Sequence, residues 1–285
     1  MAGKLVICPT PIGNLGDMPP RALEALRGAD TICAEDTRVT GKLLAALGVA
    51  GKRLERMDEN LMGQRADGVI GRVRAGEVIV YCTDAGMPGV SDPGLRLVRA
   101  AREAETPVPI EVLPGPTAAS TAYVASGCTD AAFYFGGFFP RKAGERRDLL
   151  ARLRPLDAAL IFYESPNRLT DALAAIAEVL PLRTMAVCRE MTKMHEEVQR
   201  ATAGELQELF ANRTVKGEIV LVIDGPAAEE RQEDARCALE AADARAAELA
   251  SQGVRPKETA RMLSAEFGIS RNDAYELALG HAKRD

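Results

Sequence analysis

Histidine is nearly missing from this chain. Among 285 residues only His195 and His281 occur, so an imidazole metal centre has almost no material, and no metal is expected. The six cysteines (Cys8, Cys33, Cys82, Cys128, Cys188, Cys237) are scattered without a CxxC pair. Several fall inside apolar runs, so reduced, buried thiols are expected rather than disulfides or zinc ligands. No apolar run approaches the roughly 20 residues needed to cross a bilayer, and no membrane partner is expected. The first residues lack a basic region and a cleavage site, which predicts a cytoplasmic location. Neither G-x-G-x-x-G nor G-x-x-x-x-G-K-[ST] occurs, which removes the dinucleotide fingerprint and the ATP-cradling P-loop. Lys and Arg (36) are outnumbered by Asp and Glu (41), a net charge of −5. That balance argues against a surface that attracts nucleic acid everywhere, while leaving room for a local basic patch.

What is present is globular: 47% hydrophobic and 27% charged residues, in a chain long enough for two domains and a small third one. Three short apolar runs end in Gly/Pro-rich loops that open into helices. Leu5–Cys8 runs into PTPIGNLGD, Val78–Cys82 into TDAGMPGVSDPG, and Ile110–Leu113 into PGPTAAS. Runs of this kind read as buried parallel strands with helical returns. Thr31–Ala34 is a further short strand, followed by a helix through Leu43, Leu44 and Leu47, with other helices near Gly63–Arg74 and Leu95–Glu105. The alternation predicts a mostly parallel sheet covered on both faces. One such loop is ordinarily just a turn. Three at strand exits point to a ligand crevice outside the carboxyl edge of the sheet.

The region from about Ala131 to Gly225 differs. Phe133–Phe139 holds five of the twelve Phe and Tyr residues, and Ala159–Tyr163 and Glu218–Ile223 are clear strands. Leu169, Leu173, Ile176 and Leu180 mark a helix between them. Segments around Thr184–Cys188 and Val198–Thr202 read as further strands, giving α+β with mixed strand directions. After Pro226 a long Ala/Glu/Arg-rich helix reaches about Ser251, and two shorter helices follow. Pro256 starts the first, Gly268 ends it and Ser270 caps the next. Ala260, Leu263, Phe267, Ile269, Ala274, Leu277 and Leu279 form their expected shared face, an arrangement like a helix-turn-helix. Nucleic-acid contact and plain packing both fit it, because the charge from Arg255 onward is nearly balanced. The expected division is thus 1–118, an N-terminal α/β domain; 119–226, a second α/β domain; and 227–285, a helical extension.

Polar clusters at strand exits are the candidates for chemistry. Asp84 is placed to hold a polar group, and Gly86 lets backbone approach a ligand closely. Thr117 follows Pro116 at a helix start and serves equally as an N-cap. Glu164 in YESPNR leaves a strand, and Glu35-Asp36-Thr37-Arg38 and Arg189-Glu190-Met191-Thr192-Lys193 combine carboxylates with bases. Such clusters suit positioning and proton transfer, although many are only ion pairs. Between Phe138 and Pro155, Arg141, Lys142, Arg146, Arg147, Arg152 and Arg154 face only Glu145 and Asp148, an excess of four positive charges. This stretch and Arg38 are the candidate phosphate contacts, with a solvated basic helix face as the alternative.

PTPIGNLGD, AEDTR, DAGMPGVSDPG, PGPTAA, FGGFFPRK, YESPNR, REMTK and KGEIVLVIDG, in that order, resemble the motifs of one bacterial enzyme family. These are the small-subunit ribosomal RNA cytidine 2′-O-methyltransferases of the tetrapyrrole-methylase-like class, which use S-adenosylmethionine. The resemblance spans essentially the whole chain, although the first loop is PTPIG where relatives in the class carry a Gly-rich turn. It implies two α/β domains with a helical extension, a homodimer, and methyl transfer to a ribose 2′-hydroxyl of a cytidine in the decoding region of the small-subunit rRNA. It further implies cofactor contacts at Pro11, at Asp84, Ala85, Gly86, Met87 and Val90, at Thr117 and Ala118, and at Tyr163 and Gly217. A ribose hydroxyl is a poor nucleophile, so a base or a field favouring alkoxide is needed, with Asp36, Glu164, Glu190 and Lys193 as candidates. A methylase of a small molecule or tetrapyrrole, and a non-catalytic ligand-binding module, are the competing readings.

Overall fold

The computed structural model describes residues 3–282, so Lys283, Arg284 and Asp285 of the charge-balanced tail lie outside the described residues. The chain forms two compact units, one comprising residues up to Ala151 together with Ala158–Asp224, the other Arg152–Asp157 with the chain from Gly225 onward.

The first sheet is built by β1 (Lys4–Ile7), β2 (Thr31–Ala34), β3 (Arg53–Arg56), β4 (Val78–Cys82) and β5 (Ile110–Val112). Between and after them run α1 (Pro20–Gly28), α2 (Thr37–Ala46), α3 (Glu59–Arg74), α4 (Gly94–Glu103) and α5 (Ala118–Ala125). All pairings are parallel, in the order β3-β2-β4-β1-β5. The apolar runs alternate between faces. Leu5, Ile7, Cys33, Ile79 and Tyr81 pack with Met62, Val69 and Val73 of α3 and Leu97 of α4. Val6, Cys8, Ile32, Ala34, Val80 and Cys82 pack with Ala22 and Leu26 of α1 and Leu44 of α2. The inner strands β1, β2 and β4 are continuous apolar runs because both their faces are covered. Strand order reverses beside β1 and β4, which places the crevice at their carboxyl ends.

Strand β3 was not expected. Its Arg-Leu-Glu-Arg sequence has no apolar run, because β3 is the sheet edge and its arginines face solvent.

The second sheet comprises β6 (Phe133–Phe138), β7 (Ala159–Glu164), β8 (Thr184–Arg189), β9 (Glu197–Thr202) and β10 (Ile219–Ile223) in the order β6-β7-β10-β8-β9. Only β6 and β7 run parallel; the other pairs are antiparallel, the mixture of directions read from the sequence. Helix α5 covers one face, where Ala119 and Ala122 meet Ile161, Ala186, Cys188, Val220 and Val222. The alternate residues Leu160, Phe162, Met185, Val187, Leu221 and Ile223 are also buried. The intervening helices are α6 (Ala143–Leu153), α7 (Leu169–Val179) and α8 (Ala203–Ala211), the last with a complete Thr202/Glu205 capping box.

In the second unit, α9 (Ala228–Ser251), α10 (Pro256–Phe267) and α11 (Arg271–His281) share a core of Ala242, Ala246, Leu249, Ala260, Leu263, Ile269, Ala274 and Ala278. Gly268 ends α10 at φ +67°, and Ser270 caps α11 by accepting from the Asp273 N–H. Leu279, expected in the shared face, is 50% exposed. Ala278 takes the buried place instead, four residues after Ala274 on the same side of the helix. Arg154 belongs to this unit and pairs with Asp234 at 2.8 Å and Glu230 at 3.5 Å, which takes it out of the expected basic patch. Among the described residues no helix is long and apolar enough to cross a membrane. The cysteines form no disulfide; Cys8, Cys33, Cys82 and Cys188 are buried, Cys128 is half-buried and Cys237 exposed.

Candidate active site

The three Gly/Pro loops converge. Thr10 in the first and Gly86 in the second exchange two backbone hydrogen bonds of 3.0 and 3.1 Å. Gly86 sits at φ +83°, and a Cβ there would stand 3.3 Å from Ile12 Cγ2 and 3.5 Å from the Pro116 carbonyl of the third loop. Glycine is therefore required both by conformation and by the closeness of its neighbours. The backbone at Gly86 is thus closely approached by the first and third loops, and Gly86 also lines the cleft. Asp92 folds the second loop: its carboxylate accepts from Gly89 N at 2.8 Å and Gly94 N at 2.7 Å, fixing the entry into α4. Thr117 caps α5 through Ser120 N at 3.2 Å and also lines the cleft.

These loops, with the exit of β7 and the entry to β10, enclose a cleft of about 420 Å³. That is within the ~300–1,000 Å³ common for small-molecule sites. Asp84, Ala85, Gly86, Met87, Val90, Thr117, Ala118, Tyr163 and Gly217 line it. Pro11 does not; it is buried beside the lining residue Ile12. Sequence reasoning missed Glu35, Phe138, Glu218 and Val220 as lining residues, although all four stood in quoted motifs.

The lining carries Glu35, Asp84, Asp92, Glu164 and Glu218, and among the described residues no lysine or arginine. Burial pushes the Glu35 carboxyl up, and the neighbouring Asp84 and Asp92 push it further. Burial also raises Asp84, against the Asp36 N–H that donates to its Oδ1 at 3.0 Å. A cleft with this charge favours a cation and disfavours a phosphate-bearing cofactor.

Of the four residues expected to act as base or its partner, Glu164 lines the cleft and Asp36, Glu190 and Lys193 do not. Asp36 caps α2 by accepting from Arg38 N at 2.8 Å, and the Arg38 guanidinium clasps it, with Nη2 to Oδ2 at 2.5 Å. Those bonds hold its carboxyl well below the usual carboxylate range, so it is a poor base, and Glu35, not Asp36, lines the cleft. Glu164 has a fully buried carboxylate that accepts from Ser165 N at 2.7 Å, from Arg146 at 3.4 Å and from Arg168. With two guanidiniums and an amide upon it, that carboxylate is an anchor between β7 and α6. Glu190 accepts from Lys193 Nζ at 2.8 Å and from Glu218 N at 2.9 Å, and Lys193 also donates to Glu218 at 2.9 Å. The Lys193 hydrogen bond lowers the Glu190 carboxyl. Burial alone would lower Lys193, but its bonds to Glu190 and Glu218 outweigh it and raise it. Neither Glu190 nor Lys193 lines the cleft itself; both bond its lining residue Glu218, and Glu190 also lies against Gly217.

The expected RNA contacts also separate. Arg38, Arg141, Lys142 and Arg147 are exposed. Lys142 pairs with Glu145 and Arg147 with Glu178. Arg146 is a correction: its side chain is 3% exposed, donates to the Pro140 carbonyl and lies over the Phe139 ring, so it presents no charge to a phosphate. The half-buried cluster of Cys128, Asp130 and Asp224 has the reach of a metal site. Arg200 already supplies the positive charge there, and burial followed by the Asp130 contact pushes the Cys128 thiol up to about 12.

Residues 4–207 match the family of tetrapyrrole (corrin/porphyrin) methylases. The chain is 41% identical over 282 residues to a ribosomal RNA small subunit methyltransferase I of Escherichia coli O157:H7, covering 97% of this chain and 95% of that protein. It is 38% identical over 278 residues to the protein of the same name from Halalkalibacterium halodurans, covering 96% and 94%. Among solved structures, a diphthine synthase superposes with a TM-score of 0.61 at 14% identity over 78% of this chain and 90% of that one. A uroporphyrin-III-C-methyltransferase from Thermus thermophilus superposes with a TM-score of 0.54 at 21% identity over 79% and 93%.

Proposed function

Because the chain belongs to the tetrapyrrole (corrin/porphyrin) methylase family, we propose that it is an S-adenosylmethionine-dependent methyltransferase whose substrate is small-subunit ribosomal RNA. The observation that carries this reading is the acidic lining of the cleft at the strand exits, without lysine or arginine among the described residues. S-adenosylmethionine, when bound, supplies an electrophilic methyl group on a positively charged sulfur. The residues present fit such a ligand. Glu35, Asp84 and Glu218 offer it negative charge, while Ile12, Val90, Ala118 and Val220 offer apolar surface. The loop positions Asp84–Val90, Thr117, Ala118, Tyr163 and Gly217 are its proposed contacts.

Within the family, the relatives' shared name supports RNA as the acceptor, and the motif resemblance supports the 2′-hydroxyl of a cytidine in the decoding region. Glu35 is the proposed proton acceptor. It lines the cleft, and its raised affinity for a proton suits a base that must take one from a weakly acidic hydroxyl. Displacement at a methyl group requires oxygen, carbon and sulfur in line, so holding the ribose is the larger part of the work. The acidic lining repels phosphates. The RNA backbone is therefore held outside it, by Arg38, Arg141, Lys142 and Arg147. A homodimer, a cytoplasmic location and action on small-subunit rRNA, free or within the assembled subunit, complete the proposal. So does the division of labour among 1–118, 119–226 and 227–285.

The test is nucleoside mass spectrometry of small-subunit RNA from cells with and without the gene. Loss of one 2′-O-methylcytidine is expected; an unchanged modification profile overturns the reading.

A further inference from the structure

Strand β6 pairs in parallel with β7, and Phe133, Tyr134 and Phe135 stand opposite Ala159, Leu160 and Ile161 in step. Phe138 then stands opposite Tyr163, so β6 holds one residue more than β7 across that interval. An extra residue of this kind is a bulge, and it sends every later side chain to the opposite face. In regular register Gly137 would fall beside Tyr163 and Phe138 would turn toward Phe162. With the bulge, Phe138 joins Tyr163 instead, ring centroids 5.5 Å apart and edge-on at 72°. Phe139 goes the other way and is buried against Phe162 at 4.9 Å. Two glycines make this geometry. Gly137 adopts φ +67°, and a Cβ on Gly136 would stand 2.3 Å from the Phe162 ring.

The bulge delivers an aromatic ring to the cleft. Phe138 lines it and is 61% exposed, whereas Phe139 is 1% exposed. Its support is fixed, since the Tyr163 ring also packs on Phe135, ring centroids 4.9 Å apart. The bulge abuts the second loop as well, with Ser91 Oγ 3.3 Å from the place of a Gly137 Cβ. A lining without lysine or arginine among the described residues gives no grip on phosphate. What it offers a nucleotide is a π face held by a rigid neighbour, and single-stranded or extruded bases are held by stacking on such rings.

We propose that Phe138 is the stacking platform for the base of the nucleotide whose ribose is methylated, an inference that rests on the RNA-methylation reading above. The experiment measures tritiated methyl transfer from S-adenosylmethionine to purified unmethylated small subunits by the full chain and by Phe138→Ala, Phe138→Leu and Phe138→Trp. Calorimetry gives each variant's affinity for S-adenosylmethionine, and thermal unfolding confirms folding. Loss of a base–aromatic stack should raise the subunit KM roughly 10- to 100-fold in the Ala and Leu variants. The Trp variant should stay near wild type and cofactor affinity should hold within about twofold. Leu performing like Phe would reduce the ring to packing. A weakened cofactor affinity with unchanged subunit KM would assign the ring to the cofactor. Either result overturns the proposal. Wild-type protein that transfers no methyl group to subunits would instead sink the methylation reading and this proposal with it.

Discussion

At the scale of single residues, neighbouring carboxylates have been assigned opposite work by their surroundings. Glu35 lines the cleft and binds its proton more tightly than an ordinary glutamate; Asp36, one residue on, is saturated by the Arg38 backbone and guanidinium. A base must be deprotonated to act, so kcat should rise with pH through the raised Glu35 value. Replacing Glu35→Gln should lower kcat by about 100-fold and erase that acidic limb, as read by methyl transfer across pH. An unaltered pH profile would move the role to Asp84. Glu164 invites the opposite expectation. Its buried carboxylate joins Arg146 and Arg168, so Glu164→Ala leaves two guanidiniums facing an apolar hole and should cost about 3–5 kcal/mol of stability in denaturant unfolding. The AEDTR and YESPNR motifs marked these places in the sequence. Which carboxylate faces the cleft depends on the turn after Ala34 and on partners such as Arg146, eighteen residues before Glu164, and spacing carries neither.

Among elements, legibility followed burial. Strands β1, β2, β4 and β10 are covered on both faces, so their Val, Ile and Leu runs announce them. Strand β3 is an edge with no such need, and its charged sequence hid it. Helix α8 was overlooked although Thr202-Ala-Gly-Glu205 spells a capping box before Leu206 and Phe210. Its brevity and its position directly after β9 masked the change of period. Thr202→Ala should lower stability by about 1 kcal/mol. The loop after β4 is an element in its own right because Asp92 gathers Gly89 and Gly94 upon itself. The Asp92→Ala variant should remain folded, since β4 and α4 on either side of the loop are held by their own buried core. It should lose roughly tenfold in S-adenosylmethionine affinity by calorimetry, as the lining residues Asp84–Val90 lose their fixed course.

For the whole molecule the governing fact is a separation of charge: acids line the cleft while exposed bases lie outside it. Composition hinted at both, through a net charge of −5 and the basic stretch after Phe138, but could not separate surface arginines from structural ones. Arg146 counted toward the patch in the sequence and belongs to the core in the fold; Arg154 counted likewise and is paired within the helical unit. Among the proposed contacts that remain, Arg141 and Lys142, just after β6, give a discriminating test. Each phosphate neutralised releases about one counterion, so affinity falls with salt in proportion to the number of contacts. Replacing Arg141→Glu together with Lys142→Glu should weaken binding to small subunits roughly tenfold or more at physiological salt and flatten the dependence of log K on log salt by about two. Cofactor affinity should be untouched, because neither side chain lines the cleft. Arg146→Glu should behave as a folding defect instead, lowering the melting temperature and leaving the salt slope of whatever protein stays folded unchanged. Filter binding across a salt series, paired with thermal unfolding, reads both predictions in one set of proteins. A salt slope unchanged in the Arg141/Lys142 double variant would place the RNA backbone on another face of the molecule.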